Sequence, residues 1–136
     1  MSRIMAIDYG DARTGLAVSD LTGTICGEAV TVEEWNTERL VARIGEFARA
    51  RDVGELVLGL PKNMDGSEGP RAEKARALAE LLRADGWQVT LWDERRSSIE
   101  AHQILHAVGK KEKKHRQSVD AVAASLMLES CLDSRR

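Results

Sequence analysis

Three carboxylates lie at the boundaries of predicted elements, far apart in the sequence. Asp8 ends one apolar strand, the second acid belongs to the pair Asp93-Glu94 that ends another, and Asp120 lies in the first turn of the last predicted helix. Aspartate is a poor strand residue and is costly to bury. Three converging acids at ~4 Å would repel by roughly 4 kcal/mol per pair at an effective dielectric of about 20. A hard divalent cation such as Mg²⁺ or Mn²⁺ offsets that repulsion, and such a site can cleave phosphodiesters.

Each acid also has a purely structural explanation. Asp8 can cap the turn that follows it, and Glu94 can pair with a neighbouring arginine. Asp120 can complement the dipole of its helix. Taken singly, the three residues leave both interpretations open.

A short basic segment stands out on an otherwise acidic chain. The net charge is −2, yet residues 110–116 hold five cationic side chains and one acidic one. The cations are Lys110, Lys111, Lys113, Lys114 and Arg116. Such a segment suits a protein that meets phosphate at one place, although a solvated loop is the structural alternative.

Length and composition indicate one domain over residues 1–136 of a cytoplasmic protein. A chain of 136 residues can bury a core without disulfides. Cys26 and Cys131 lack the spacing of a zinc site or redox pair, which favours two reduced thiols. No apolar run has the length of a signal peptide or membrane helix, so we expect no membrane partner.

The predicted elements follow the order β-β-β-α-β-α-β-α-α. Strands at about 4–8, 16–20 and 25–32 form a meander, and further strands follow at 55–59 and 88–92. Helices are predicted from 36 or 37 to 51, from Pro70 to Gly86, from Ser97 to Gly109, and over about 117–132. This order predicts a mixed sheet in which right-handed crossovers add the later strands in parallel.

The predicted topology can bring the acids together at one edge of the sheet. If the meander grows one way from the first strand and the crossovers grow the other way, the first and last strands are neighbours. Asp8 and the pair Asp93-Glu94 then face one crevice, and the last helix can bring Asp120 there. The glycine-rich connection 59–70 is no P-loop, but it can offer N–H donors to a phosphate.

The three tryptophans are isolated in the sequence. Trp35, Trp87 and Trp92 show no common spacing. We interpret all three as packing residues rather than as base-stacking groups.

Four short stretches, in this order, carry a resemblance to a known family. They are residues 6–10 (AIDYG) with 13–20 (RTGLAVSD), 59–69 (GLPKNMDGSEG), 93–95 (DER) and 119–124 (VDAVAA). Together they resemble the YqgF/RuvX family of Holliday-junction-resolvase-like proteins. One departure is visible, because Arg96-Ser97-Ser98 stands where the family usually has Leu-Thr-Thr. An arginine so close to Glu94 can alter metal affinity.

The resemblance implies an α/β, ribonuclease H-like fold: a mixed five-stranded sheet with an antiparallel three-strand meander and two parallel strands, flanked by helices. It also implies a metal centre of three acids, which are Asp8, Glu94 and Asp120 in this sequence, as catalytic residues and as ligands of Mg²⁺ or Mn²⁺. Asp93 is the alternative to Glu94, but adjacent strand residues point to opposite faces.

The expected function is a metal-dependent nuclease that processes the 5′ end of pre-16S rRNA in ribosome biogenesis. The bound metal would generate the attacking hydroxide, while Arg13 and the basic segment position phosphates. The alternatives are a Holliday-junction resolvase and a non-catalytic nucleic-acid-binding factor in rRNA maturation or transcription. An actin-like phosphotransferase is disfavoured because the chain is too short for two domains. Pre-rRNA against branched DNA, and monomer against homodimer, stay open.

Overall fold

The computed structural model describes residues 3–23, 25–93 and 116–135, with only the backbone described for residues 116–119. None of the helices within these ranges combines the length and the apolar character that crossing a membrane requires.

Within the described residues, five strands form one mixed sheet. They are β1 (Arg3–Asp8), β2 (Arg13–Ser19), β3 (Cys26–Glu33), β4 (Val53–Leu60) and β5 (Val89–Asp93), in the order β3-β2-β1-β4-β5. The pairs β1–β2 and β2–β3 are antiparallel, whereas β1–β4 and β4–β5 are parallel. The predicted meander with two added parallel strands is confirmed.

Three described helices flank the sheet: α1 (Thr37–Ala50), α2 (Pro70–Ala84) and α3 (Arg116–Ser134). Asn36 caps α1 as predicted, because its Oδ1 accepts a hydrogen bond from the Arg39 N–H at 2.9 Å. Gly86, just beyond α2, adopts φ 97°, a conformation that favours glycine. The helix predicted between Ser97 and Gly109 lies outside the described residues.

The prediction that the first and last strands are neighbours in the sheet is wrong. β4 lies between β1 and β5, so two strand spacings, about 10 Å, separate these strands. The physical reason is burial: the residues from Leu56 to Leu60 are all buried, which suits an interior strand. β5 is mostly half-buried, which suits an edge.

The two faces of the sheet carry separate cores. Met5 and Ile7 of β1 pack with α1 and α2, whereas Ile4 and Ala6 pack with α3. Since side chains alternate along a strand, Asp8 continues the row of Ile4 and Ala6 and lies on the α3 face.

Candidate active site

Asp8 ends the central strand β1 at the edge where the parallel strands have their carboxyl ends. Its side chain is half-buried, and its register partner in β2 is Gly15. The carboxyl ends of β4 and β5 reach the same edge at Leu60 and Asp93, which are paired with each other. This edge is where open α/β sheets place their ligands.

Small residues allow α3 to lie almost directly on the sheet beside Asp8. Ala6 and Ala17 pack against Ala124 of α3. A Cβ atom at Gly15 would collide with the main-chain carbonyl of Asp120 and would lie 3.2 Å from the Ala124 Cβ. Because Gly15 is also the register partner of Asp8, this close approach brings Asp120 alongside Asp8.

The electrostatics of Asp120 reflect this neighbourhood. Burial raises the pKa of the Asp120 carboxyl above its usual value, and the negative charge of Asp8 raises this pKa further. The guanidinium of Arg13 acts in the opposite direction and lowers the pKa. Two carboxylates and one arginine therefore interact at the end of the central strands.

The position of Asp120 within α3 corrects one expectation. The helix begins at Arg116, so Asp120 lies in its second turn rather than in its first. The effect of a helix dipole falls off within the first turn. Stabilisation of the helix terminus is therefore a poor explanation for this acid.

Arg13 is held in an exposed ion pair. Its Nε lies 3.4 Å from Glu33 Oε1, across the register pair that joins β2 and β3. Exposed pairs of this kind are worth at most about 1 kcal/mol. Arg13 can therefore exchange Glu33 for a phosphate at little cost.

Asp93 ends β5 on the wrong face to join Asp8. Trp92 packs in the α3 cluster, and Val89 and Leu91 pack in the core beneath α1 and α2. By alternation, Asp93 points toward α1 and α2, away from α3. This orientation weighs against Asp93 as the substitute for Glu94, which itself lies outside the described residues.

The described part of the chain thus brings together two of the three predicted metal ligands, Asp8 and Asp120. Among the described residues, no group of three or more His, Cys, Asp or Glu side chains is placed to hold a metal ion. Two half-buried carboxylates that repel each other nevertheless fit a hard divalent cation, which prefers oxygen ligands and neutralises their charge.

The predicted phosphate contacts of the basic segment fall outside this description. Lys110, Lys111, Lys113 and Lys114 lie beyond the described residues, and of Arg116 only the backbone at the start of α3 is placed.

The packing prediction for the tryptophans is wrong for Trp35. Trp87 and Trp92 pack against the two cores, as expected. Trp35, in the loop between β3 and α1, leaves 78% of its surface exposed. The signal was present in the sequence, because Trp35 is the one apolar residue in the polar stretch from Glu33 to Arg39.

Comparison with known proteins shows the family of this chain and agrees with its fold. A family model described as RuvX, Holliday junction resolvase, matches residues 2–134. The chain belongs to the RuvX family. A relative from Pelotomaculum thermopropionicum is 45% identical over 98% of this chain and 88% of its own length. One from Halothermothrix orenii is 41% identical over 96% of this chain and 94% of its own. Both carry the name "Putative pre-16S rRNA nuclease".

Solved structures support the ribonuclease H-like fold expected of a RuvX protein. Thermus thermophilus RuvC matches with a TM-score of 0.61 at 14% identity, over 98% of this chain and 95% of its own. The fowlpox virus resolvase, in complex with substrate Holliday junction DNA, matches with a TM-score of 0.60 at 17% identity and 98% coverage of both chains. The ribonuclease H-like fold is confirmed.

Proposed function

We propose that this RuvX protein is a divalent-metal-dependent nuclease that processes the 5′ end of pre-16S rRNA. The observation that carries the proposal is the close approach of α3 to Gly15, which puts the Asp120 carboxylate beside Asp8. Family membership and the names of relatives more than 40% identical support the same reaction class.

Asp8, Glu94 and Asp120 would hold Mg²⁺ or Mn²⁺. We choose Glu94 over Asp93 because the alternation of β5 turns Asp93 away from the face of Asp8. When bound, the cation supplies Lewis-acid chemistry: it makes water more acidic and stabilises charge on the phosphate.

The side chains of the protein orient the ligand oxygens and bind the substrate phosphates. Asp8 and Asp120 orient their oxygens at the strand end, and the raised pKa of Asp120 means that its carboxylate forms at a higher pH than that of an ordinary aspartate. Arg13 would bind the phosphate next to the scissile bond. Lys110, Lys111, Lys113, Lys114 and Arg116 would hold the flanking strands through charge alone.

Cleavage of a DNA four-way junction is the second candidate. It is favoured by the description of the matching family model. We rank pre-rRNA first because the relatives that carry the rRNA name share 41–45% of their residues with this chain. The resolvases share 14–17%, and that likeness speaks for the fold alone.

The test is cleavage of a precursor rRNA end and of a four-way junction, in parallel, with Mg²⁺ or Mn²⁺. We expect Asp8→Asn, Glu94→Gln and Asp120→Asn each to lower the rate by more than about a hundredfold, since even outer-shell partners of metal ligands cost up to that much. The matched control is Asp93→Asn, a strand-end acid on the other face, which should cleave normally.

Undiminished cleavage by Asp8→Asn in a contaminant-free preparation would overturn the proposal. Equal losses for Asp93→Asn and Asp8→Asn, with both variants folded by thermal melting, would refute the assignment of Glu94. Metal-independent binding of both substrates, without cleavage by the wild type, would favour the non-catalytic alternative.

A further inference from the structure

A second surface lies at the same edge of the sheet, on the face opposite α3. Tyr9, Asp11, Trp35, Thr37 and Lys74 line a groove of about 420 Å³, which we call the Trp35 groove. Tyr9 directly follows Asp8, so the groove opens one residue away from the candidate active site. A hydrogen bond of 2.9 Å from Glu34 N–H to the Ala12 carbonyl ties the loop of Trp35 to the turn after Asp8.

Trp35 is an exposed aromatic side chain with no packing role in the described part of the chain. It leaves 78% of its surface exposed, whereas the other two tryptophans are packed against the cores. Tryptophan is enriched at binding interfaces, because its ring is apolar and its N–H can donate a hydrogen bond. Its flat face suits stacking against another ring.

The charges around Trp35 favour an anion. Asp11 lies 3.1 Å from Lys74 Nζ and 3.9 Å from Arg71 Nη1, so two cations accompany this one acid. Glu34, next to Trp35, is likewise paired with Arg39 at 3.3 Å and Arg43 at 3.8 Å. In each of these two groups, two cations therefore lie within 4 Å of a single acid. The exposed cations can exchange their carboxylates for phosphate at little cost.

We propose that the Trp35 groove binds an unpaired stretch of the nucleic acid next to the cleavage point, with a base stacked on Trp35 and the adjoining phosphates at Lys74 and Arg71. Stacking on an aromatic side chain needs a base that is free of a duplex, so the groove selects single-stranded flanks. The two cations beside Asp11, Lys74 and Arg71, argue for a phosphate-bearing ligand over a second copy of this acidic chain. The inference rests on the proposed function, because a nuclease needs such a groove to hold its substrate. Binding to the groove is nevertheless measured separately from cleavage.

The experiment is fluorescence anisotropy of the full chain in EDTA, with labelled oligouridine and with a blunt RNA duplex of the same length. We expect Trp35→Ala to weaken oligouridine binding by roughly tenfold and to leave duplex binding nearly unchanged, while Trp35→Phe retains most of the affinity. Leu21→Ala is the matched control, because Leu21 is 52% exposed at the opposite edge of the sheet.

Two charge variants should change the affinity of the same groove for oligouridine in opposite directions. Lys74→Gln should weaken oligouridine binding by roughly two- to fivefold, and Asp11→Asn should strengthen it by a similar factor, as expected for exposed charges. Trp35→Ala with wild-type affinity for oligouridine would overturn the proposal. A change in oligomeric state by Trp35→Ala without a change in affinity would also overturn it and assign the groove to protein contacts.

The two proposals fail separately. If the wild type binds oligouridine through Trp35 but cleaves nothing, the groove stands and the nuclease proposal fails. If cleavage depends on Asp8 while Trp35→Ala binds and cleaves normally, the nuclease stands and the groove fails.

Discussion

The two ends of α3 hold carboxylates in opposite environments. At the first end, Asp120 faces Asp8, and burial together with this like charge raises the Asp120 pKa. At the other end, Arg135 donates to both oxygens of Glu55 at 2.7 and 2.8 Å, and Thr90 adds a hydrogen bond of 2.6 Å. The hydrogen bonds from Arg135 lower the pKa of Glu55, against the effect of its burial. The ion pair of Glu55 with Arg135 therefore stabilises the fold, whereas the two neighbouring carboxylates, Asp8 and Asp120, destabilise it.

The direction of the parallel strands explains why the two carboxylates lie at one end of α3 and the ion pair of Glu55 at the other. Glu55 lies near the start of β4, at the amino-terminal edge of the parallel strands, whereas Asp8 ends β1 at the carboxyl edge. Between them, Ala124, Met127 and Leu128 are buried against the sheet. This apolar middle and the Arg135 clamp hold the helix in place, so that two carboxylates can be kept together at its first end.

Breaking the close approach at the first end should have the largest effect. Gly15→Ala puts a methyl group against the carbonyl of Asp120, which is backbone and cannot turn aside. We expect the free energy of unfolding, measured by urea denaturation, to fall by about 1–3 kcal/mol. Cleavage should fall as well, because α3 must shift away from Asp8.

Gly27→Ala is the matched control for that substitution. Gly27 lies in β3 of the same sheet, but the nearest atom to an added Cβ is 3.6 Å away, an ordinary contact. We expect a change within about 0.5 kcal/mol. Equal losses for the two alanine variants would show that α3 does not depend on the missing side chain at position 15.

Local signals in the sequence were sufficient for much of this arrangement. The capping side chain of Asn36, Pro70 at the first position of α2 and Gly86 beyond its end each fix a boundary through their own chemistry. The position of Asp8 at a strand end followed from the apolar run before it. Its pairing with Asp120 needed the family resemblance as well, because no local pattern records which helix crosses which strand.

The remaining features depend on competition between elements. The insertion of β4 between β1 and β5 is decided by which strand can be buried on both faces, and that requires all five strands at once. The exposure of Trp35 depends on the absence of apolar neighbours in space, although its polar neighbours in sequence were a usable signal. The ion pair of Arg13 with Glu33 depends on the register of β2 and β3, which sequence patterns leave open.

Weakening the clamp at the second end should have an intermediate effect. Glu55→Gln keeps the shape but removes the charge that Arg135 binds, and Arg135 is 40% exposed, so solvent reduces the loss. We expect the free energy of unfolding at neutral pH to fall by about 1 kcal/mol. Glu80→Gln, which removes only an exposed pair with Arg83, should cost a few tenths at most.

The pH dependence of Glu55→Gln gives a second measurement. Because the folded pKa of Glu55 is lowered, its stabilisation is fully present above the unfolded pKa and is lost as the pH falls through the folded pKa. The difference between wild type and variant in urea denaturation should therefore shrink in acid. A difference that stays constant with pH would mean that the packing of Glu55, rather than its charge, holds this end of α3.

Relieving the repulsion at the first end should have the smallest effect on stability, and one of opposite sign. In EDTA at neutral pH, Asp120→Asn removes a half-buried charge beside Asp8, so we expect Tm to rise, by an amount that corresponds to a few tenths of a kcal/mol. The wild type gains stability as the pH falls from the raised folded pKa toward the unfolded pKa, because its folded state binds the proton more tightly. The advantage of the variant should therefore vanish on acidification.

A double-mutant cycle separates repulsion from burial. If Asp8 and Asp120 repel each other, either Asp8→Asn or Asp120→Asn removes the same unfavourable term, and the double variant should gain less than the two single gains combined. Addition of Mg²⁺ should then stabilise the wild type and leave the double variant unchanged, since only the wild type keeps the carboxylates that hold the ion. Fully additive gains would mean that Asp8 and Asp120 do not repel each other. The contrast between the Asp120 end of α3 and the Arg135 end would then rest on burial alone.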